Sequence, residues 1–172
     1  MDALRMWSHL LHQNNQPSDQ TLSLYRQATD LNAVGRWEQA ASILEGCVTE
    51  LEQLDAPQAA AANHNLAVVL QQRGDRDGAV FHCVRGVFLY EQAADLGGMF
   101  AGLRNLIAVH RSRQENRLAM AAQHQAALIR ELLIAQGELR RVEEGRDRFG
   151  EPLVLLGMGA AKAPREDLGQ VG

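Results

Sequence analysis

Two asparagines stand forty residues apart in similar settings, Asn65 in "NLA" and Asn105 in "NLI". A side-chain amide has N–H donors and a carbonyl acceptor, so it can hold both polar groups of an extended peptide backbone. Arg104 and Arg111 lie about two helical turns apart and could select an acidic segment or a free carboxylate. Side chains of these types can bond to the backbone and the acidic groups of a polypeptide. The alternative is that the two amides only cap or bridge adjacent helices.

Residue types that support catalysis or metal binding are sparse. His9 and His12 have a spacing that can ligate a metal, but no third ligand is evident. Cys47 and Cys83 are too few for a disulfide framework and lie on apolar stripes, which predicts buried thiols. No nucleophilic triad or phosphate loop is visible, so we predict neither enzymatic activity nor a cofactor. A helical enzyme, whose catalytic residues are distant in sequence and meet only in the folded structure, is an open alternative.

Composition indicates a globular, helical chain. Of its 172 residues, 46% are apolar and 22% charged, while only 5% are aromatic. Alanine, leucine and other straight-chain residues are abundant, and these favour helix. A net charge of −4 argues against nucleic acid as the main partner. No apolar run approaches the ~20 residues of a membrane span and no signal peptide is evident, so we expect a cytoplasmic protein.

One pattern occurs three times along the chain. Each copy has a helical first half, a polar elbow, and an alanine that opens a second helical half. The three alanines are Ala40, Ala79 and Ala119, at spacings of 39 and 40 residues. Gly35 and Gly74 stand where the first helix should end in a left-handed residue, whereas the third copy has Gln114 there.

Apolar residues recur at three- and four-residue steps, which predicts amphipathic helices. In the second copy the apolar face is wide and includes Val84 and Phe88, which predicts a helix packed on two sides. Asp55 before Pro57 marks a helix start. We predict seven helices, at roughly 2–13, 18–34, 37–54, 57–73, 76–95, 98–113 and 115–146.

The three copies resemble tetratricopeptide repeats, in which small residues let two paired helices approach closely. The matching sets are Ala28 with Ala40 and Cys47, Ala67 with Ala79 and Gly86, and Ile107 with Ala119 and Ala126. The family's elbow is present as Gly35, Trp37 and Ala40 and is degraded in the other two copies. The resemblance implies an all-α, short right-handed superhelix of antiparallel helix pairs. Its repeats would be about 21–56, 57–97 and 98–134 within a domain 17–148 that has an extended last helix, flanked by an N-terminal helix (1–16) and a tail (149–172).

The resemblance also implies a concave groove, lined by the first helix of each pair, that holds a peptide or helix of another protein. The family's groove positions fall on Arg26, Thr29, Asn32, His64, Asn65, Val68, Gln71, Gln72, Arg104, Asn105, Ala108, Arg111 and Ser112. In this interpretation the amides grip the partner's backbone, Val68 and Ala108 supply contact area, and the arginines favour an acidic segment. We therefore predict a non-catalytic adaptor.

The ends of the chain leave alternatives open. The N-terminal helix and the tail could build a homo-oligomer or larger complex, which would make the protein an assembly module. The tail has an apolar run, Leu153–Leu156, interrupted by glycine and proline on both sides. It could dock in its own groove until a partner displaces it, or serve as a handle for another chain. From about residue 162 onward the composition predicts disorder.

Overall fold

The computed structural model describes residues 17–54, 58–137 and 139. These ranges form six helices and contain no strand, which confirms the all-α prediction for them. The helices are α1 (Asp19–Ala33), α2 (Trp37–Gln53), α3 (Ala59–Arg73), α4 (Arg76–Gln92), α5 (Leu96–Ser112) and α6 (Asn116–Gln136). The predicted helix 2–13, His9 and His12, and the tail 149–172 lie outside the described residues.

The helices pack in chain order as three pairs, α1 with α2, α3 with α4, and α5 with α6. The second helix of each pair also packs on the first helix of the next pair. First helices contact one another over short stretches, α1 with α3 and α3 with α5, whereas the second helices do not meet within the described ranges. This packing is consistent with a helical repeat.

Small residues allow the close approach of the paired helices. The three anchoring alanines, Ala40, Ala79 and Ala119, are all buried. A side chain at Gly86 would bring its Cβ to 3.3 Å from the backbone oxygen of Ala60. The second pair therefore depends on a small residue where its two backbones approach.

Glycines also set the contact between α4 and α5. A Cβ at Gly98 would lie 2.1 Å from the ring of Tyr90, and one at Gly102 would lie 2.7 Å from Val87 Cγ2. Both separations are shorter than non-bonded carbons tolerate, because interiors are already close-packed. The junction between the second and third pairs thus requires glycine on α5.

The three elbows share one backbone geometry. Gly35 (φ +77°) and Gly74 (φ +86°) are left-handed, as predicted, and Gln114 takes the same conformation (φ +61°) without being glycine. At each elbow this residue donates its N–H to the carbonyl three residues earlier, and the next residue donates to the carbonyl five residues earlier, at 2.9–3.1 Å. This is the Schellman arrangement that closes a helix.

Several predicted helix bounds were wrong. The last helix does not run on to residue 146, because Gly137 is left-handed (φ +73°) and ends α6 at Gln136. Ala94 is also left-handed (φ +50°), so α4 ends at Gln92 rather than 95. Helix α5 starts at Leu96 rather than at residue 98, because the side chain of Asp95 caps it by accepting from the N–H of Gly98 at 3.1 Å.

Candidate protein-binding surfaces

The residues predicted to line the groove divide by exposure. Four are enclosed at the centre of the stack, namely His64, Asn65, Val68 and Asn105. Five are half-buried along the first helices, Thr29, Asn32, Gln71, Arg104 and Ala108. Four are exposed, Arg26, Gln72, Arg111 and Ser112. A partner could therefore reach the four exposed residues directly, but not the four central ones in this conformation.

The two amides bridge adjacent first helices. Asn65 Nδ2 donates a hydrogen bond to the hydroxyl of Tyr25 at 2.7 Å, joining α3 to α1. Asn105 Nδ2 lies 3.0 Å from His64 Nε2 and joins α5 to α3 in the same way. Tyr25 and His64 occupy equivalent positions in successive copies, as do Asn65 and Asn105. One hydrogen bond is thus repeated from pair to pair, which is the bridging role that the sequence left open.

The predicted residues at the ends of the first helices make polar contacts at the edge of the stack. Gln71 Nε2 donates to Ser112 Oγ at 3.0 Å, which links α3 to α5. Arg111 Nη2 donates to Gln123 Oε1 on α6 at 3.0 Å. The guanidinium carbon of Arg104 stands 5.9 Å from the ring centre of Phe100, within cation–π range. These contacts hold the side chains in place but leave Arg111 exposed.

A different surface carries the exposed apolar side chains. Among the described residues ten large apolar side chains are exposed, and eight of them lie on α4 and α6. On α4 these are Phe81, Val84 and Phe88, which are 64%, 51% and 45% exposed and which we call the α4 stripe. On α6 they are Leu118, Met120, Leu128, Leu132 and Ile134. The prediction that Val84 and Phe88 belong to a doubly packed face was therefore wrong.

The α4 stripe belongs to the second copy and not to the repeat as such. Its equivalents in the first copy, 39 residues earlier, are the polar Ser42, Glu45 and Thr49. A repeat can thus fold with polar residues there, because the positions face away from the pair. The sequence signal for the stripe is this difference between copies, which the positions shared by all three copies do not reveal.

A polar network beside the α4 stripe joins α4 to α2 and α3. The Glu52 carboxylate on α2 accepts from Arg85 Nε at 3.2 Å and Nη2 at 3.0 Å, and from Asn63 Nδ2 at 2.6 Å. The hydrogen bond from Arg85 is the main reason that the pKa of Glu52 is lowered. Asn63 Oδ1 also lies 2.8 Å from Nδ1 of His82. Burial lowers the pKa of His82. Arg85 in turn stands 5.6 Å over the ring of Phe88.

The described residues include both cysteines and one open pocket. Cys47 and Cys83 are buried and unpaired with each other, and burial raises the pKa of the Cys83 thiol to about 12. Within the described ranges no three His, Cys, Asp or Glu side chains cluster as metal ligands. An open pocket of about 470 Å³ between α1 and α2 contains one carboxylate, Glu38, and an arginine, Arg36.

No known protein-family model matches this chain, and no curated protein sequence matches it. In addition, none of the described helices has the length and apolar character to cross a bilayer.

Proposed function

We propose that this protein is a non-catalytic adaptor that binds a segment of a partner protein. The observation that carries the proposal is the α4 stripe, in which three large apolar side chains stand exposed along one face of a helix. Aligned apolar patches on a folded chain mark interaction sites more often than isolated exposed residues do. A cytoplasmic location and tetratricopeptide-type, right-handed stacking belong to the same proposal.

The spacing of the stripe defines the partner. Phe81, Val84 and Phe88 follow an i, i+3, i+7 pattern, which matches the side-chain ridges of a second amphipathic helix. Phenylalanine side chains are rigid and large, so they give much contact area for little lost rotamer freedom. We therefore infer a helical partner segment with apolar residues at the same spacing, bound with an affinity on the order of micromolar.

The groove residues that stay accessible form a second, polar contact in this proposal. Arg26 is exposed midway along α1, and Gln72 and Arg111 are exposed near the C-terminal ends of α3 and α5. Arginine and glutamine at such positions can pair with carboxylates or backbone groups of a partner that extends past the stripe. Because exposed ion pairs contribute little, we assign them selectivity for an acidic segment rather than most of the affinity.

A double substitution tests the adaptor role. We expect Phe81→Ser/Phe88→Ser to abolish capture of partner proteins from a lysate of the source organism, because both anchors are removed. The matched control is Ser42→Ala/Thr49→Ala, which alters the equivalent positions of the first copy and should leave capture intact. Both variants should keep wild-type helicity, since the replaced side chains are exposed. Equal capture by wild type and the Phe81→Ser/Phe88→Ser variant would refute the proposal.

The second candidate is an assembly module, and the apolar side chains on α6 favour it. Leu118, Leu128 and Leu132 are exposed on one side of that helix, where a second copy of the chain could pack. Light scattering across a dilution series separates the two functions. A stable oligomer that dissociates on Leu128→Ser/Leu132→Ser would favour assembly, whereas a monomer at all concentrations would favour the adaptor.

A further inference from the structure

The α4 stripe is nearly symmetric about its middle residue. Phe81 precedes Val84 by three residues and Phe88 follows it by four, which places them about 4.5 Å and about 6 Å away along the helix axis. All three side chains are exposed. A second α4 that runs antiparallel to the first therefore presents Phe88 to Phe81 and Val84 to Val84. The stripe is thus complementary to a copy of itself.

A two-fold axis at Val84 describes this arrangement. In such an interface the same surface patch packs against itself, so every contact between different residues occurs twice. Phe81 of each copy meets Phe88 of the other on either side of the axis. Paired aromatic rings can pack edge-to-face, which stabilises the contact beyond the area that it buries.

The exposed area of the stripe suits a weak dimer. Its side chains are 64%, 51% and 45% exposed, which leaves roughly 300 Å² of apolar surface when a phenylalanine counts as about 200 Å² and the valine as somewhat less. Protein–protein interfaces are about 60% apolar, so two such stripes correspond to about 1,000 Å² of total buried surface. Interfaces of that size are typical of reversible association rather than of a permanent dimer.

The charges of α4 favour the antiparallel direction. Arg76 is exposed in the first turn of the helix and Glu91 is exposed in the last turn. An antiparallel contact brings Glu91 of one copy to within about one turn of Arg76 of the other, at both ends of the interface. The acidic residues beside Arg76 are already engaged, because Asp75 caps the helix and Asp77 pairs with Arg113.

The first and third copies of the repeat lack this surface. The equivalent positions hold Ser42, Glu45 and Thr49 in the first copy and Ala121, His124 and Leu128 in the third. The same contact made by the first copy would place two Glu45 carboxylates on the axis, where like charges repel. Self-contact is therefore favoured at α4 and disfavoured at α2.

We propose that two copies of this chain associate reversibly through the α4 stripe, with the two α4 helices antiparallel about an axis at Val84. This dimer covers the surface that a partner helix uses in the proposed function. The partner then binds the monomer and competes with the second copy. Only this competition rests on the proposed function, and the dimer itself does not. The dimer also differs from an assembly through α6, because its contacts lie on α4.

Charge substitutions on the axis test the dimer. Sedimentation velocity over the micromolar range should show the full-length wild-type chain shifting from monomer to dimer as its concentration rises. Val84→Arg and Val84→Asp should each raise the dissociation constant at least about tenfold, because like charges then face each other. An equimolar mixture of the two variants should dimerise again, since opposite charges then meet. Glu45→Arg, at the equivalent position of the first copy, should leave the dimer unchanged.

Cross-linking gives a second readout, which also reports the direction of the helices. On mild oxidation Val84→Cys should form a disulfide between two copies, with a yield that rises with protein concentration, whereas Glu45→Cys should stay unlinked. Phe81→Cys mixed with Phe88→Cys should link faster than either variant links to itself, because the antiparallel contact brings these positions together. The native thiols are buried and serve as an internal reference.

Three results would overturn the proposal. A wild-type chain that is monomeric at every concentration would show that no second copy covers the stripe. A dimer that survives Val84→Arg, or a mixture of the two charged variants that stays monomeric, would place the contact elsewhere. Faster self-linkage of Phe81→Cys than linkage to Phe88→Cys would exclude the antiparallel direction. The adaptor role is judged separately, because capture by wild type and its loss in Phe81→Ser/Phe88→Ser are measured whether or not the chain dimerises.

Discussion

Replacing Asn65 by alanine tests the bridge between the first and second pairs. The change removes the donor that bonds the Tyr25 hydroxyl at 2.7 Å, and both side chains are 1% exposed. Losing one partner of a buried hydrogen bond costs about 1–3 kcal/mol, because the group that stays buried has given up water without compensation. We expect a loss of about 2 kcal/mol in the free energy of unfolding, which lowers Tm by about 4–8 °C for a chain of this size.

A double-mutant cycle assigns that loss to the bridge. Asn65→Ala, Tyr25→Phe and the double variant are unfolded in urea, with circular dichroism as the signal. We expect a coupling energy of about 1 kcal/mol between the two substitutions. Once Asn65→Ala has removed the donor, Tyr25→Phe removes a hydroxyl that no longer makes this hydrogen bond, so its further cost is smaller. Gln72→Ala, an exposed change on the same helix, should stay within about 0.5 kcal/mol of wild type. Zero coupling, or an Asn65→Ala variant as stable as wild type, would refute the bridging role.

Two further predictions concern the elbow and pH. Gln114→Gly should raise the free energy of unfolding by about 1 kcal/mol, because a left-handed conformation is costly for residues with a Cβ. For the same reason Gly74→Ala should lower the free energy of unfolding. Urea unfolding measures both changes, and destabilisation by Gln114→Gly would contradict the elbow geometry. The free energy of unfolding should also fall as pH drops below about 6.5, because the lowered pKa of His82 means that the folded state favours its neutral form. It should fall again below about 4.3, because the lowered pKa of Glu52 means that the folded state favours the ionised carboxylate, which is then protonated. The His82→Gln and Glu52→Gln variants should each lack one of these losses, and unchanged pH profiles would contradict the assignment.

Local signals in the sequence predicted the architecture of the pairs. The anchoring alanines and the two elbow glycines follow from neighbours a few residues away, so Ala40, Ala79, Gly35 and Gly74 were found correctly. Helix ends without a strong local signal were missed. The apolar pattern continues past Gly137, and one glycine in a long amphipathic run does not by itself indicate a stop.

Burial was harder to predict than position. The sequence placed Asn65 and Asn105 at equivalent sites, but it could not show that both are enclosed, because enclosure depends on where neighbouring pairs stand. The burial of residues on the wide apolar face of α4 was hard to predict for the same reason. Periodicity identifies which residues share a face, but it does not distinguish Phe88, which is exposed, from Tyr90, which is buried.

The α4 stripe is tested most directly by titration of a purified captured partner. We predict that Phe81→Ser/Phe88→Ser weakens binding at least about thirtyfold, the equivalent of one interface hot spot, while Ser42→Ala/Thr49→Ala binds as wild type does. Equal affinities for all three proteins would contradict the account.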